Sequence, residues 1–170
     1  QKALPYLRRA FELQPNEYWY QYAIYLLQSG NKKSEKTAIR NLEFVASNNP
    51  EDEEVHTLLQ KAYIHVKDIK RALLIQDKLD SIVGYNAMSA MQRYRISVMM
   101  NNIPQAVREV ERYVEEEPND LQFQAFRLEV YEHTNQPSDK LIEAYLAVLP
   151  YDPHNLIIKN NLAWHLCISN

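Results

Sequence analysis

A turn-forming residue recurs along this chain at a nearly constant step, and that period limits the possible folds more than any other feature. Pro15, Pro50, Gly84, Pro118 and Pro153 follow one another at intervals of 35, 34, 34 and 35 residues. Each lies in a short polar break: QPNE, SNNPED, VGYN, EPND or YDPHN. Self-similarity at a step of this size marks a repeat protein, in which one supersecondary unit is copied and each copy packs on the next. Twelve residues before each marker stands Ala3, Ala38, Ala72, Ala106 or Leu141. Four and seven residues after Ala38 come Leu42 and Val45, and at the same offsets from Ala106 come Val110 and Tyr113. A small residue followed by larger ones at these spacings gives a helix one face that can sit closely on a neighbour.

The segments between the breaks are helical in character. Glycine occurs only twice, and runs such as ALLIQDKL, AVREVERYV and KLIEAYLAVL place apolar residues three and four apart. That is the period of an amphipathic helix, and no strand-like alternation competes with it. From Ala38 onward another helical segment and a short turn precede these residues, so each such unit reads as helix, turn, helix. The units expected are 16–50, 51–84, 85–118 and 119–153, with 1–15 reading as a second helix alone and 154–170 as a first helix alone. Such a unit cannot bury its apolar face by itself. The expectation is one continuous array, an excerpt of a longer one, or an array whose uncovered ends associate with each other or with another chain.

The order Trp19, Tyr22, Ala23, Leu26, Gly30, Ala38, Pro50 resembles the tetratricopeptide repeat, as does the series Leu59, Tyr63, Ala72, Gly84. The resemblance runs through essentially the whole chain. It implies an all-α fold, a right-handed α–α superhelix (solenoid) of helix-turn-helix units of about 34 residues, with the first helices lining a concave face. The chain departs from the family pattern in places. Two residues are missing between Pro15 and Trp19, and three extra lie between Gly30 and Ala38. Arg93, Ser97 and Arg127 fall where apolar residues belong, and a shift by one would instead turn Met91, Tyr94 and Val98, or Phe123, Phe126 and Val130, inward. Two registers are therefore open for the first helices of the fourth and fifth units.

Charge and composition exclude several kinds of function. With 22 acids against 19 Lys plus Arg the net charge is -3, which is a poor match for a polyanion, so no nucleic-acid partner is expected. No apolar run is long enough for a membrane span. The chain is expected to be soluble, cytoplasmic or, if an export signal lies upstream of Gln1, periplasmic. Cys167 is the only cysteine and cannot form an internal disulfide. Among His56, His65, His133, His154 and His165 no pair is spaced i, i+4, so no metal site is expected, and these histidines read as surface or packing residues. Gly30 and Gly84 stand too far apart for a phosphate-binding loop, so no nucleotide or other cofactor is expected. The acids of EDEE, 51–54, favour a helix N-terminus, whereas Glu115, Glu116 and Glu117 sit near a helix C-terminus, where Arg112 compensates Glu116 at i+4. No catalytic grouping emerges, and the chain is expected not to be an enzyme.

What remains is surface. In the second unit the stripe Trp19, Tyr22, Ala23, Leu26 reads as core, which leaves Tyr20, Ile24 and Leu27 facing the groove implied by the resemblance. The same reasoning places Thr57, Lys61 and Ile64 there in the third unit, Met91 and Arg95 in the fourth, and Asn160 and Trp164 in the last helix. For Met88, Met91 and Met99 individually, core filling is the first expectation. One branch of the family grips a peptide carboxylate with Lys, Asn and Arg on successive first helices. Lys61 and Arg95 fit two such places, but Tyr20, Ile24 and Thr57 stand where the asparagines would be, which disfavours that clamp. The function expected is a non-catalytic scaffold that binds a peptide or protein segment in the groove. The alternative is a regulatory or sensor segment whose effector lies outside this chain.

Overall fold

The computed structural model describes residues 3–169, apart from the side chain of Asn16. The chain divides into two compact units, Gln1–Tyr85 and Asn86–Asn170. The first holds α1 (Leu4–Leu13), α2 (Pro15–Gln28), α3 (Lys32–Asn48), α4 (Glu53–His65) and α5 (Ile69–Val83). The second holds α6 (Ala87–Met99), α7 (Ile103–Glu116), α8 (Leu121–His133), α9 (Ser138–Val148) and α10 (Leu156–Ile168). The described residues contain no strand. Within each unit every helix packs on its neighbours in sequence, as short connections require.

The turns explain why the period is so regular. At the end of α4 the Asp68 amide donates to the Tyr63 carbonyl (2.8 Å) and the Lys67 amide to Ile64 (3.0 Å). The same two bonds recur after α6, from Asn102 to Ser97 and from Asn101 to Val98, and after α8, from Gln136 to Tyr131 and from Asn135 to Glu132. This is the Schellman arrangement, which pairs the last free carbonyls of a helix and needs one residue in the left-handed region. Lys67 (φ 62°), Asn101 (φ 55°) and Asn135 (φ 49°) supply that residue, and Gly30 (φ 68°) stands at the matching place after α2. Asparagine and glycine tolerate this conformation, whereas a lysine there costs about 1 kcal/mol. The next residue then opens the following helix: the side chains of Asn31, Asp68 and Asn102 accept the amides of Ser34, Arg71 and Gln105. Two residues thus end one helix and begin the next.

Between units of the repeat the same capping chemistry recurs. Asp52 accepts the amides of Glu54 and Val55, and Asp120 that of Phe123. These caps satisfy amides that would otherwise lack partners, each worth about 1 kcal/mol. The acid-rich EDEE stretch therefore begins a helix, and Arg112 pairs with Glu116 at 3.1 Å.

Small residues set the helix spacing. Ala38, Ala62, Ala72, Ala90, Ala106 and Ala144 are completely buried. In the first unit one core joins Trp19 and Ala23 of α2 to Leu42 and Val45 of α3, to Leu59 and Tyr63 of α4, and to Ala72 of α5. Tyr22, Leu26 and Ala38 form a second cluster, on which Leu4, Leu7 and Phe11 of α1 pack. In the second unit aromatic rings link three helices, with Phe123 4.2 Å from Tyr113 and 5.4 Å from Phe126, and Tyr94 5.4 Å from Phe126. Such pairs add to the burial of their area.

The register of the two irregular helices is now fixed. In α6 it follows the repeat without a shift: Ala90 and Ser97 are buried, while Val98 is exposed and Met91 and Tyr94 are only half-buried. In α8 the unshifted residues Gln124, Arg127 and Tyr131 are buried, and so are Phe123 and Val130, because the helix is covered over a wide arc. Arg127 is tolerated there since its Nη1 lies 2.9 Å from Glu143 and its guanidinium stacks over the Tyr131 ring at 5.7 Å. A buried charge needs such partners. The core-filling expectation for methionine is overturned: Met88 and Met99 are exposed and Met91 only half-buried, because the alanine and aromatic positions already fill the space between helices.

One carboxylate arrangement occurs twice. Glu43 of α3 accepts the Tyr63 hydroxyl and lies 3.4 Å from Arg71, while Glu111 of α7 accepts the Tyr131 hydroxyl (3.0 Å) and Lys140 (2.6 Å). A glutamate on a second helix thereby ties together both helices of the repeat that follows. Glu132 likewise accepts the Tyr145 hydroxyl of α9. Burial, and then these carboxylates, raise the tyrosine pKa values, that of Tyr145 to about 12.

Two outcomes test this packing. Trp19→Ala should lower unfolding free energy by about 3 to 5 kcal/mol in urea titrations, since the ring fills the first core. Tyrosines whose folded pKa exceeds the ordinary value of about 10 contribute stability that is complete below that value and lost as pH rises through the folded pKa. Melting temperature should therefore fall between about pH 10 and pH 12, and Tyr145→Phe should make that fall shallower.

Candidate partner-binding surfaces

The groove set in the first unit comes from two first helices, α2 and α4. Tyr20 is 41% exposed, its ring edge-on to Trp19 at 5.4 Å, and Lys61 is exposed on the next first helix. Ile24, Leu27 and Ile64 are half-buried against the same core cluster, and Thr57 is half-buried as well. Three of the six, Ile24, Leu27 and Ile64, thus share one core cluster, while Tyr20 and Lys61 reach solvent. A helix residue one position away from the core stripe is expected to be half-covered in this way.

In the second unit Met91 of α6 is half-buried and Arg95 exposed. Asn160 and Trp164 of α10 are exposed, the indole by 64%. Trp164 stands at the mouth of a cavity of about 390 Å³ whose wall includes Tyr145, Glu132, Gln136 and His165. His165 stacks on Tyr145 at 5.9 Å and meets the Ser138 hydroxyl at 3.1 Å. His56, in the first unit, is buried, with Nδ1 2.7 Å from the Asp52 carbonyl. It is a packing histidine.

Sequence reasoning did not find a further cleft in the first unit. A cavity of about 650 Å³ lies between α3 and the turn joining α4 to α5. Lys32, Lys36 and Arg40 of α3 line one wall, Lys67 and Arg71 the other, and Ile39, Tyr63 and Val66 the floor. Its carboxylates are all engaged internally. Glu35 lies 3.3 Å from His65 and Glu43 holds Tyr63 and Arg71; Asp68 caps α5 and pairs with Arg71 at 3.1 Å. Burial, and then the Glu43 hydrogen bond, keep the Tyr63 phenol protonated. A sequence signal did exist: Lys32, Lys36 and Arg40 recur every four residues and so share a helix face.

Among the described residues no group of three or more His, Cys, Asp or Glu side chains could hold a metal ion. No described helix is long and apolar enough to cross a membrane.

No family model and no curated protein matches the chain. Solved structures do. The C-terminal part of a TPR repeat-containing protein from Cytophaga hutchinsonii is 20% identical with a TM-score of 0.68, over 94% of this chain and 66% of that one. TTC0263, a thermophilic TPR protein of Thermus thermophilus, is 17% identical with a TM-score of 0.52, over 97% of this chain and 89% of its own. YrrB, described as a TPR protein with an unusual peptide-binding site, is 14% identical with a TM-score of 0.57, over 96% and 83%. At these identities the likeness speaks to architecture. The helical hairpins, their 34-residue step and their buried alanines, together with these matches, show that the chain has the tetratricopeptide-repeat fold.

Proposed function

We propose that the chain is a non-catalytic scaffold that holds a peptide or protein segment against its first helices. The observation that carries this reading is the exposure pattern on two successive first helices, where Tyr20 and Lys61 are exposed while Ile24 and Leu27 of α2 and Ile64 of α4 are half-buried against one core cluster. A surface of this make-up offers apolar area to a ligand and fixes its orientation with a few polar groups, as peptide grooves do. In the second unit Met91 and Arg95 on α6, and Asn160 and Trp164 on α10, offer similar chemistry on first helices. Methionine and tryptophan suit adaptable apolar contacts. YrrB, a protein of the same fold with an unusual peptide-binding site, lends the reading support.

Affinity capture tests it. Tyr20→Ala with Lys61→Ala removes the two accessible members, and both sit on the surface, so unfolding free energy should change by about 0.5 kcal/mol or less for each. Partners captured by the unaltered chain should be lost by the double variant while helical circular dichroism stays the same. An unchanged set of captured partners would overturn the groove assignment.

A further inference from the structure

We propose that the cleft between α3 and the α4–α5 turn binds an acidic protein segment in extended conformation, at a site distinct from the groove of the first helices. The lining charges make the case. Five Lys and Arg side chains face three carboxylates, and each carboxylate already has a partner inside the cleft. Arg71 is consumed by Glu43 and Asp68. Lys32, Lys36, Arg40 and Lys67 make no ion pair with the described residues, so four cations face one cavity in a chain whose net charge is -3. The N-terminal ends of α3 and α5 border the same space, and their dipoles add to the positive potential.

The spacing selects the shape of the ligand. Residues four apart on a helix are separated by about 6 Å along its axis, so Lys32, Lys36 and Arg40 form a ladder with that step. Side chains two apart on an extended strand lie about 6.6 Å apart on one face. A segment with Asp or Glu at alternate positions therefore matches the ladder, with the intervening backbone over Ile39 and Val66 and with Lys67 closing the opposite wall. A cavity of about 650 Å³ is large enough for several side chains. Nucleic acid fits worse, because a phosphate backbone is held by Lys and Arg along an extended track, whereas here four cations gather around one cavity, which suits a segment carrying a few carboxylates.

Fluorescence polarisation with a labelled ten-residue peptide alternating Glu with Ala tests the proposal, alongside a Gln-for-Glu version and a labelled single-stranded oligonucleotide. The expected result is binding of the acidic peptide that weakens as salt is raised, weakens at least tenfold in Lys36→Glu with Arg40→Glu, and is absent for the Gln version. The Tyr20→Ala, Lys61→Ala variant should bind it as the unaltered chain does, which separates this site from the groove. Failure of the unaltered chain to bind, equal binding by the charge-reversed variant, or tighter binding of the oligonucleotide would each overturn it. Concentration-dependent sedimentation that disappears in the charge-reversed variant would also overturn it, by assigning the cleft to a second copy of the chain. Both replaced side chains are exposed, and unchanged circular dichroism keeps a loss of binding interpretable.

Discussion

The close approach of helices at fully buried alanines is the constraint on which the rest of the structure depends. Ala38, Ala72 and Ala106 leave no side chain to hold two backbones apart, so each second helix can seat its larger residues against a neighbour. Leu42 and Val45, four and seven residues beyond Ala38, are buried for that reason, and Val110 and Tyr113 beyond Ala106 likewise. A larger residue at any of the alanines would push the helices apart and open the core along its length.

Close packing needs turns of constant geometry, and the chain makes them from backbone chemistry rather than from a fixed residue. Lys67, Asn101 and Asn135 share a left-handed backbone and the same two carbonyl bonds, though one of them is a lysine. The residue that follows is free to cap the next helix, as Asp68 and Asn102 do. Glu43 and Glu111 then bind the tyrosine of the following first helix and the cation of the following second helix. In each unit one repeat is thus tied to the next by apolar contact and by a charged link whose tyrosine pKa is raised, first by burial.

The same economy leaves surface available for binding. With alanine, tryptophan and tyrosine filling the interior, Tyr20, Lys61, Met88, Arg95 and Trp164 have no structural task that removes them from solvent. The cationic cleft arises similarly: the carboxylates of that region are spent on Tyr63, Arg71, His65 and the cap of α5, and the remaining lysines and Arg40 are left over. Five cations against three engaged carboxylates leave the cleft with a positive excess.

Much of this was legible in the residues themselves. Helix content, the 34-residue step, the buried alanines and the core role of Trp19 and Tyr22 follow from periodicity, which reports which face of a helix is covered. Other features depend on partners distant in sequence. Arg127 looks misplaced in a helix until Glu143 and Tyr131 are brought beside it, and Ser97 until the alanine register of α6 is seen. The methionines, expected in the core, lie outside or at the edge of it, because their side chains suit both settings and only the filling of space by other residues decides. Lys32, Lys36 and Arg40 lie on one face by spacing alone, but Lys67 and Arg71 join them only when the α4–α5 hairpin packs beside α3, and only there do Glu35, Glu43 and Asp68 find their partners. The sequence by itself thus determined the repeat and its core face, since both are periodic along the chain. The tertiary structure alone decided which charges remain unpaired, since pairing depends on residues about 30 positions apart that meet only when the hairpins stack.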